Sequence, residues 1–136
     1  MLLTNKHIFI IEDNAANAGI ILTTLQMYGA QTHFDRWGTH AVHRLRELKN
    51  IDLILMDLML ANNVSGYDVY DQIKATPEIA TIPIVIVSAS DANIEMNKAR
   101  EKGFAGYISK PIDFTTFPKM IAAILEGKEV WADDSF

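Results

Sequence analysis

Apolar residues in this chain gather in short runs at His7–Ile11, Leu53–Met56, Ile82–Val87 and Tyr107–Ile108, each mostly β-branched, aliphatic or aromatic. A weaker, more polar run covers Gln31–Phe34. Between the runs, apolar residues recur at every third or fourth position, the period of a helix with one buried stripe. Strands that alternate with helices predict a parallel sheet covered on both faces. The first helix follows Asn14, a good N-cap, carries Ala18, Ile21, Leu22, Leu25 and Tyr28 on one stripe, and stops at Gly29. The second begins near Gly38-Thr39 and buries Ala41, Val42, Leu45 and Leu48. A third runs from about Gly66 to Ala75 with Val69 and Ile73 inward, and a fourth from Ala92 to Lys102 with Met96 and Ala99 inward. The last carries Phe114, Phe117, Ile121, Ile124 and Leu125.

The polar Gln31–Phe34 run suits a sheet edge, whereas Asp52–Met56 is apolar enough for a central strand. Five strands, five helices and right-handed crossovers predict an α/β, doubly wound, five-stranded parallel sheet in the order 2-1-3-4-5, the flavodoxin-like arrangement. Pro118 would remove a hydrogen bond from a helix starting at Asp113, so the regular helix is expected only from about Thr116, with the proline in its first turn. The sequence reads as one domain over residues 1–127 with a C-terminal tail over 128–136. In that tail Trp131 and Phe136 make either a docking segment or a local packing contact.

Four polar signals stand where the apolar runs end: Glu12-Asp13, Asp57, Ser88 and Lys110-Pro111. Ligands of open parallel sheets bind at the carboxyl ends of the strands, where the strand order reverses. Strands one and three are neighbours there, so Glu12, Asp13 and Asp57 converge on one rim. Two carboxylates about 4 Å apart repel by roughly 4 kcal/mol at an effective dielectric near 20, which makes a cation the natural companion. A hard, oxygen-seeking ion fits, and Mg²⁺ keeps waters that leave room for a phosphate. Taken singly, Asp13 and Asn14 read as helix-capping residues, Asp57 as a loop acid, Ser88 as a turn residue competing with Ser90 and Asp91 for the fourth helix's cap, and Lys110 as a solvated charge. Together, each behind its own strand, they read as a site.

Composition narrows the rest. A net charge of −5 argues against direct nucleic-acid binding, and without cysteine there is no disulfide framework or thiolate site. Met1–Lys6 is too short and polar for a signal peptide, no run reaches the roughly 18 apolar residues of a membrane span, and a cytoplasmic location is expected. His40, His43 and Glu47 have metal-compatible spacing, but Arg44 and Arg46 beside them favour a solvated helix face. A flavin phosphate would be repelled by Glu12-Asp13. A dehalogenase-type hydrolase would need a second acid two residues after its nucleophile, where Ala15 stands behind Asp13.

These motifs, in order and spacing from about Lys6 to Gly127, resemble the receiver domain of two-component response regulators, of the single-domain, chemotaxis-regulator-like kind. The resemblance implies that Asp57 is the phospho-acceptor, taking its phosphoryl group from a sensor histidine kinase, a histidine phosphotransfer protein or a small phosphodonor. It implies a Mg²⁺ (or Mn²⁺) site made by Asp13, Asp57 and the backbone carbonyl of Met59, with Glu12 acting through water. Ser88 becomes the switch hydroxyl, Tyr107 the aromatic switch residue, and Lys110-Pro111 the lysine with its cis peptide. Gly66-Tyr67-Asp68 opens the third helix as is common in the family. Such a domain catalyses only its own phosphorylation and dephosphorylation, and signals to a downstream protein through helix four, strand five and helix five, with Ile94, Glu95, Lys98 and Tyr107 on that face. Met59 and Ser90 flank the path of hydrolytic water. The loop Ala61–Ser65 departs from the family pattern: it lacks the usual proline and reads one residue longer. A second reading is a degenerate receiver that works as a phosphorylation-independent interaction module; the intact Asp13, Asp57 and Lys110 oppose it.

Overall fold

The computed structural model describes residues 1–132. Its elements in chain order are β1 (His7–Ile11), α1 (Ala15–Met27), β2 (Gln31–Asp35), α2 (Ala41–Leu48), β3 (Leu53–Met56), a 3₁₀ turn (Ala61–Asn63), α3 (Gly66–Lys74), β4 (Ile84–Ser88), α4 (Ala92–Lys102), β5 (Gly106–Ser109), α5 (Phe117–Leu125) and β6 (Val130–Ala132). All the strands pair in parallel, in the order β2-β1-β3-β4-β5-β6. The predicted doubly wound order is present, and a sixth strand extends it past β5.

Alternation along the strands divides the core in two. Phe9, Ile11, Ile54, Met56, Ile84, Ile86 and Tyr107 face α2, α3 and α4, where Leu45, Val69, Ile73 and Ala99 meet them. Ile8, Ile10, Leu53, Leu55, Val85, Val87 and Ile108 face α1 and α5, where Ile21, Leu25, Phe117, Ile121 and Ile124 close the other layer. The central strands β3 and β4 are buried at every residue, while β2 at the edge is mostly half-exposed.

Caps set the helix ends largely as the sequence predicts. The Asn14 side chain accepts the Asn17 amide, and Gly29 follows α1 with a φ of +97°. Ser65 and Asp91 cap α3 and α4 through their own side chains. Thr116 precedes α5, which leaves Pro118 in the first turn, where its missing N–H costs nothing. Three details differ from expectation. α2 starts at Ala41, because Gly38 takes a left-handed φ of +77° and sits too close to Leu60 and Val69 to carry a side chain. Phe114 lies ahead of α5 and is exposed, so it belongs to the loop rather than the core stripe. Met96 is only half-buried, as are Val42 and Leu48 of α2, leaving Ala99 as the buried residue of α4 and Ala41 and Leu45 as those of α2. Of the two tail aromatics, Trp131 lies in β6, and Phe136 falls outside the described residues.

Candidate phosphoryl-transfer site

The pairing of β1 with β3 brings the acids together. Ile11 stands in register with Met56, so the next residues, Glu12 and Asp57, leave the sheet side by side, and the Asp57 amide donates to the Ile11 carbonyl at 3.1 Å. Glu12, Asp13 and Asp57 each offer a carboxylate oxygen, and these oxygens lie within 4.8 Å of one another. Lys110, at the end of β5, reaches across β4: its Nζ donates to Glu12 Oε1 and, at 2.9 Å, to Asp57 Oδ2. Four of the residues expected at the site are therefore brought together by the end of the sheet.

The electrostatics follow from burial. Glu12 is 1% exposed, and desolvation pushes its carboxyl up to about 7; the Lys110 hydrogen bond opposes this and the Asp57 charge adds to it. Burial alone would lower the Lys110 ammonium, but the hydrogen bonds and charges of Glu12 and Asp57 outweigh it and hold the group above its ordinary value. Lys110 thus stays cationic between two acids. The cluster contains only hard oxygen donors and is open to solvent at Asp13 and Asp57, which are half-exposed. That donor set fits a small divalent ion such as Mg²⁺ and not a soft metal.

Around the acids the backbone is closely fitted. A Cβ on Gly66 would stand 2.4 Å from the Asp57 carbonyl oxygen, so only glycine lets the start of α3 pack against Asp57. The Gly66 amide also donates to the Leu58 carbonyl at 2.8 Å. Met59 and Ser65 form an antiparallel bridge that pinches the base of the 59–65 loop, where Asn62 and Asn63 both take a φ of 60°. Asparagine tolerates that left-handed region, which is how this loop turns without proline. The Met59 amide donates to Asp57 Oδ1 at 3.3 Å, and the residue is 73% exposed.

Ser88 and Tyr107 are linked through Ser90. The Ser88 hydroxyl donates to Ser90 Oγ at 3.0 Å and accepts the Ser90 amide at 3.2 Å. The Tyr107 hydroxyl donates to the Ser90 carbonyl at 2.9 Å, and the ring is 0% exposed. Tyr107 is thus an interior residue here, unlike Ile94 on the same face, which is 66% exposed. Lys110-Pro111 is a cis peptide, as expected. One contact was not legible from spacing: the Tyr67 hydroxyl donates to Glu95 Oε2, tying the start of α3 to α4, with the Lys98 ammonium 4.3 Å from the Tyr67 ring centroid. Burial, then the Glu95 hydrogen bond and charge, push the Tyr67 hydroxyl's pKa upward. His43 bonds Glu47 at 2.8 Å on an exposed face of α2, the solvated pair its neighbours favoured.

With this geometry in place, the comparisons are specific. The family model of the response regulator receiver domain matches residues 8–122. The polar-differentiation response regulators DivK of Brucella ovis and Brucella abortus are each 34% identical over 120 residues, covering 88% of this chain and 96% of theirs. Among solved structures, a signal receiver domain of a histidine kinase from Syntrophus aciditrophicus aligns with a TM-score of 0.76 at 27% identity, over 90% of this chain and 91% of that one. The chemotaxis response regulator CheY4 of Vibrio cholerae shares the fold, with a TM-score of 0.79 at 16% identity over 89% of this chain and 99% of that one.

Proposed function

The chain belongs to the response regulator receiver domain family and serves phosphorelay signalling, and from that premise we propose that Asp57 is its phospho-acceptor. One observation carries the assignment: among the described residues, Asp57 alone combines a partly accessible carboxylate, an ammonium at 2.9 Å and two further acids within metal-sharing distance. An Asp57 oxygen attacks the phosphorus of a phosphohistidine on a histidine kinase or phosphotransfer protein. The new O–P bond forms as the P–N bond breaks, and the imidazole leaves with the electron pair. Asp13, Asp57 and the Met59 carbonyl would hold Mg²⁺ (or Mn²⁺), and Glu12 would act on it through water. When bound, that ion neutralises charge on the equatorial phosphoryl oxygens. Lys110, 2.9 Å from Asp57 Oδ2, supplies a second positive charge to the same oxygens. Transfer of this kind asks little else of a protein than positioning and charge.

Ser88 is the hydroxyl that reports the event. To reach a phosphoryl oxygen it gives up its bond to Ser90 and moves toward Asp57, and Tyr107 fills the space this leaves. The domain then presents a changed face of α4, β5 and α5 to a downstream protein. Among the described residues no helix is long and apolar enough to cross a membrane, and the reading places the protein in the cytoplasm beside its donor.

Intact-mass measurement after incubation with acetyl phosphate and Mg²⁺ tests the assignment. The wild type gains one phosphoryl group, and Asp57→Asn gains none. Undiminished labelling of Asp57→Asn, or labelling of the wild type in excess chelator, overturns it.

A further inference from the structure

Phosphoryl transfer makes no use of β6. Without it β5 would be the open edge of the sheet, and Tyr107, in the middle of β5, would have a flank on solvent. Instead β6 runs alongside in parallel, Gly106 opposite Val130, Tyr107 opposite Trp131 and Ile108 opposite Ala132. Residues in register on neighbouring parallel strands project from the same face. Trp131 therefore stands beside Tyr107 on the α4 side, packed on the core layer that contains Tyr107, while Val130 is buried in the layer of α5.

Two further features show that this seat is built. The Arg100 guanidinium of α4 lies over the Trp131 ring, 4.6 Å from its centroid. Gly106 makes room: a Cβ there would stand 2.5 Å from the Val130 carbonyl oxygen, and the three atoms nearest to it all belong to the Val130 backbone. Since Gly106 is not among the glycines with positive φ, its missing side chain serves the close approach of β6 rather than a turn.

We propose that β6 is a strap whose Trp131 holds Tyr107 inward, which makes Trp131 a positioning residue for the switch. The proposal rests on the reading of Asp57 as acceptor and Tyr107 as switch. An outward swing of the Tyr107 ring past the β5 edge would pass through the space Trp131 fills. Docking of the strap raises the inward population and with it the fraction of molecules ready to accept the Ser88 movement. Coupling between sites is reciprocal, so a group bound at Asp57 also tightens the strap.

The test follows Tyr107 directly, by NMR of ring-labelled tyrosine with a soluble nitroxide that broadens exposed rings. Tyr107 is expected to stay sharp in the wild type and in Trp131→Phe, and to broaden in Trp131→Ala and Gly106→Ala. A Tyr107 that stays protected in both of the latter variants, while hydrogen exchange shows the 130–132 amides open, overturns the proposal. If Gly106→Ala keeps those amides closed, Trp131→Ala decides alone. A second arm titrates beryllofluoride with Mg²⁺: Trp131→Ala is expected to weaken binding roughly fivefold, near the low end of known site-to-site couplings, with Trp131→Phe close to wild type. Equal midpoints overturn the coupling. Failure of beryllofluoride to bind the wild type would remove the acceptor reading, and the nitroxide arm would still decide whether the strap holds Tyr107.

Discussion

Lys110 shows how one residue reconciles the costs at the rim. Glu12 is buried enough to be pushed up to about 7, and the neighbouring Asp57 charge adds to that push; the shared Lys110 ammonium lets both acids persist in one place. Removing such a buried cation leaves its partners unpaired, at a cost of about 3 kcal/mol or more. Met59 acts differently. The residue is 73% exposed, and its amide is already bound to Asp57 Oδ1, so an apolar residue follows two positions after Asp57 with its backbone on that carboxylate. With Asp57 phosphorylated as proposed, that side chain is expected to hinder the approach of hydrolytic water. Met59→Asn is expected to shorten the phosphoryl lifetime by up to about tenfold, ~1.4 kcal/mol of barrier, as read by loss of mass label after donor removal. A lifetime equal to or longer than wild type would refute this. The acids, the serine and the lysine were legible in the sequence because each follows an apolar run that fixes where it emerges. Gly66 was legible only as a helix opener, because its reason is the Asp57 carbonyl 2.4 Å from where a Cβ would lie, a contact 9 residues back that no spacing rule reads.

At the scale of elements, legibility follows length and periodicity. The long stripe of α1 and the apolar runs of β1, β3 and β4 each contain enough residues to define a period, and the start of α5 followed from what proline forbids. β6 has three residues, Val130-Trp131-Ala132, too few to show alternation, and its partner edge becomes visible only once β5 is in place. The loop before α5 gives an element-level prediction with a sign. Asp113 Oδ1 accepts the Thr115 amide at 2.8 Å, the Thr116 amide at 3.0 Å and the Thr115 hydroxyl. The Thr115 side chain first, then the Thr116 and Thr115 amides, pull its carboxyl from 3.8 down to about 2. A carboxylate depressed on folding stabilises fully above its unfolded pKa and loses that contribution as pH falls through the folded value. The stability gap between wild type and Asp113→Asn should therefore be constant above about pH 4 and shrink between 3.8 and about 2, as followed by urea denaturation across that range. A gap that does not change with pH would show that the ionised cap contributes nothing.

Across the whole molecule, burial is unevenly shared, and the imbalance points to where a signal can travel. β3 and β4 are buried throughout, and α5 buries Phe117, Pro118, Met120, Ile121 and Ile124. α4 buries only Ala99. What holds α4 is peripheral: Glu95 to the Tyr67 hydroxyl, Lys98 over the Tyr67 ring, Lys102 to Asp71 at 3.0 Å and Arg100 over Trp131. Polar contacts of this kind, exposed or only part-buried, are weak compared with buried apolar area, so α4 lies at the low-stability end of the structure, from which moving elements are drawn. It is also the helix that touches both the start of α3, next to the 59–65 loop, and the strand beside Tyr107. A small rearrangement at Asp57 can thus shift α4 at little cost while the sheet stays fixed. Native-state hydrogen exchange should show α4 amides opening well before those of α1 and α5. Tyr67→Phe, which removes only the hydroxyl that binds Glu95, should speed α4 exchange several-fold and leave β1, β3 and β4 unchanged. If α4 exchanges as slowly as α5, or if Tyr67→Phe accelerates the whole domain equally, α4 is not a separately mobile element and the signal must leave the molecule elsewhere.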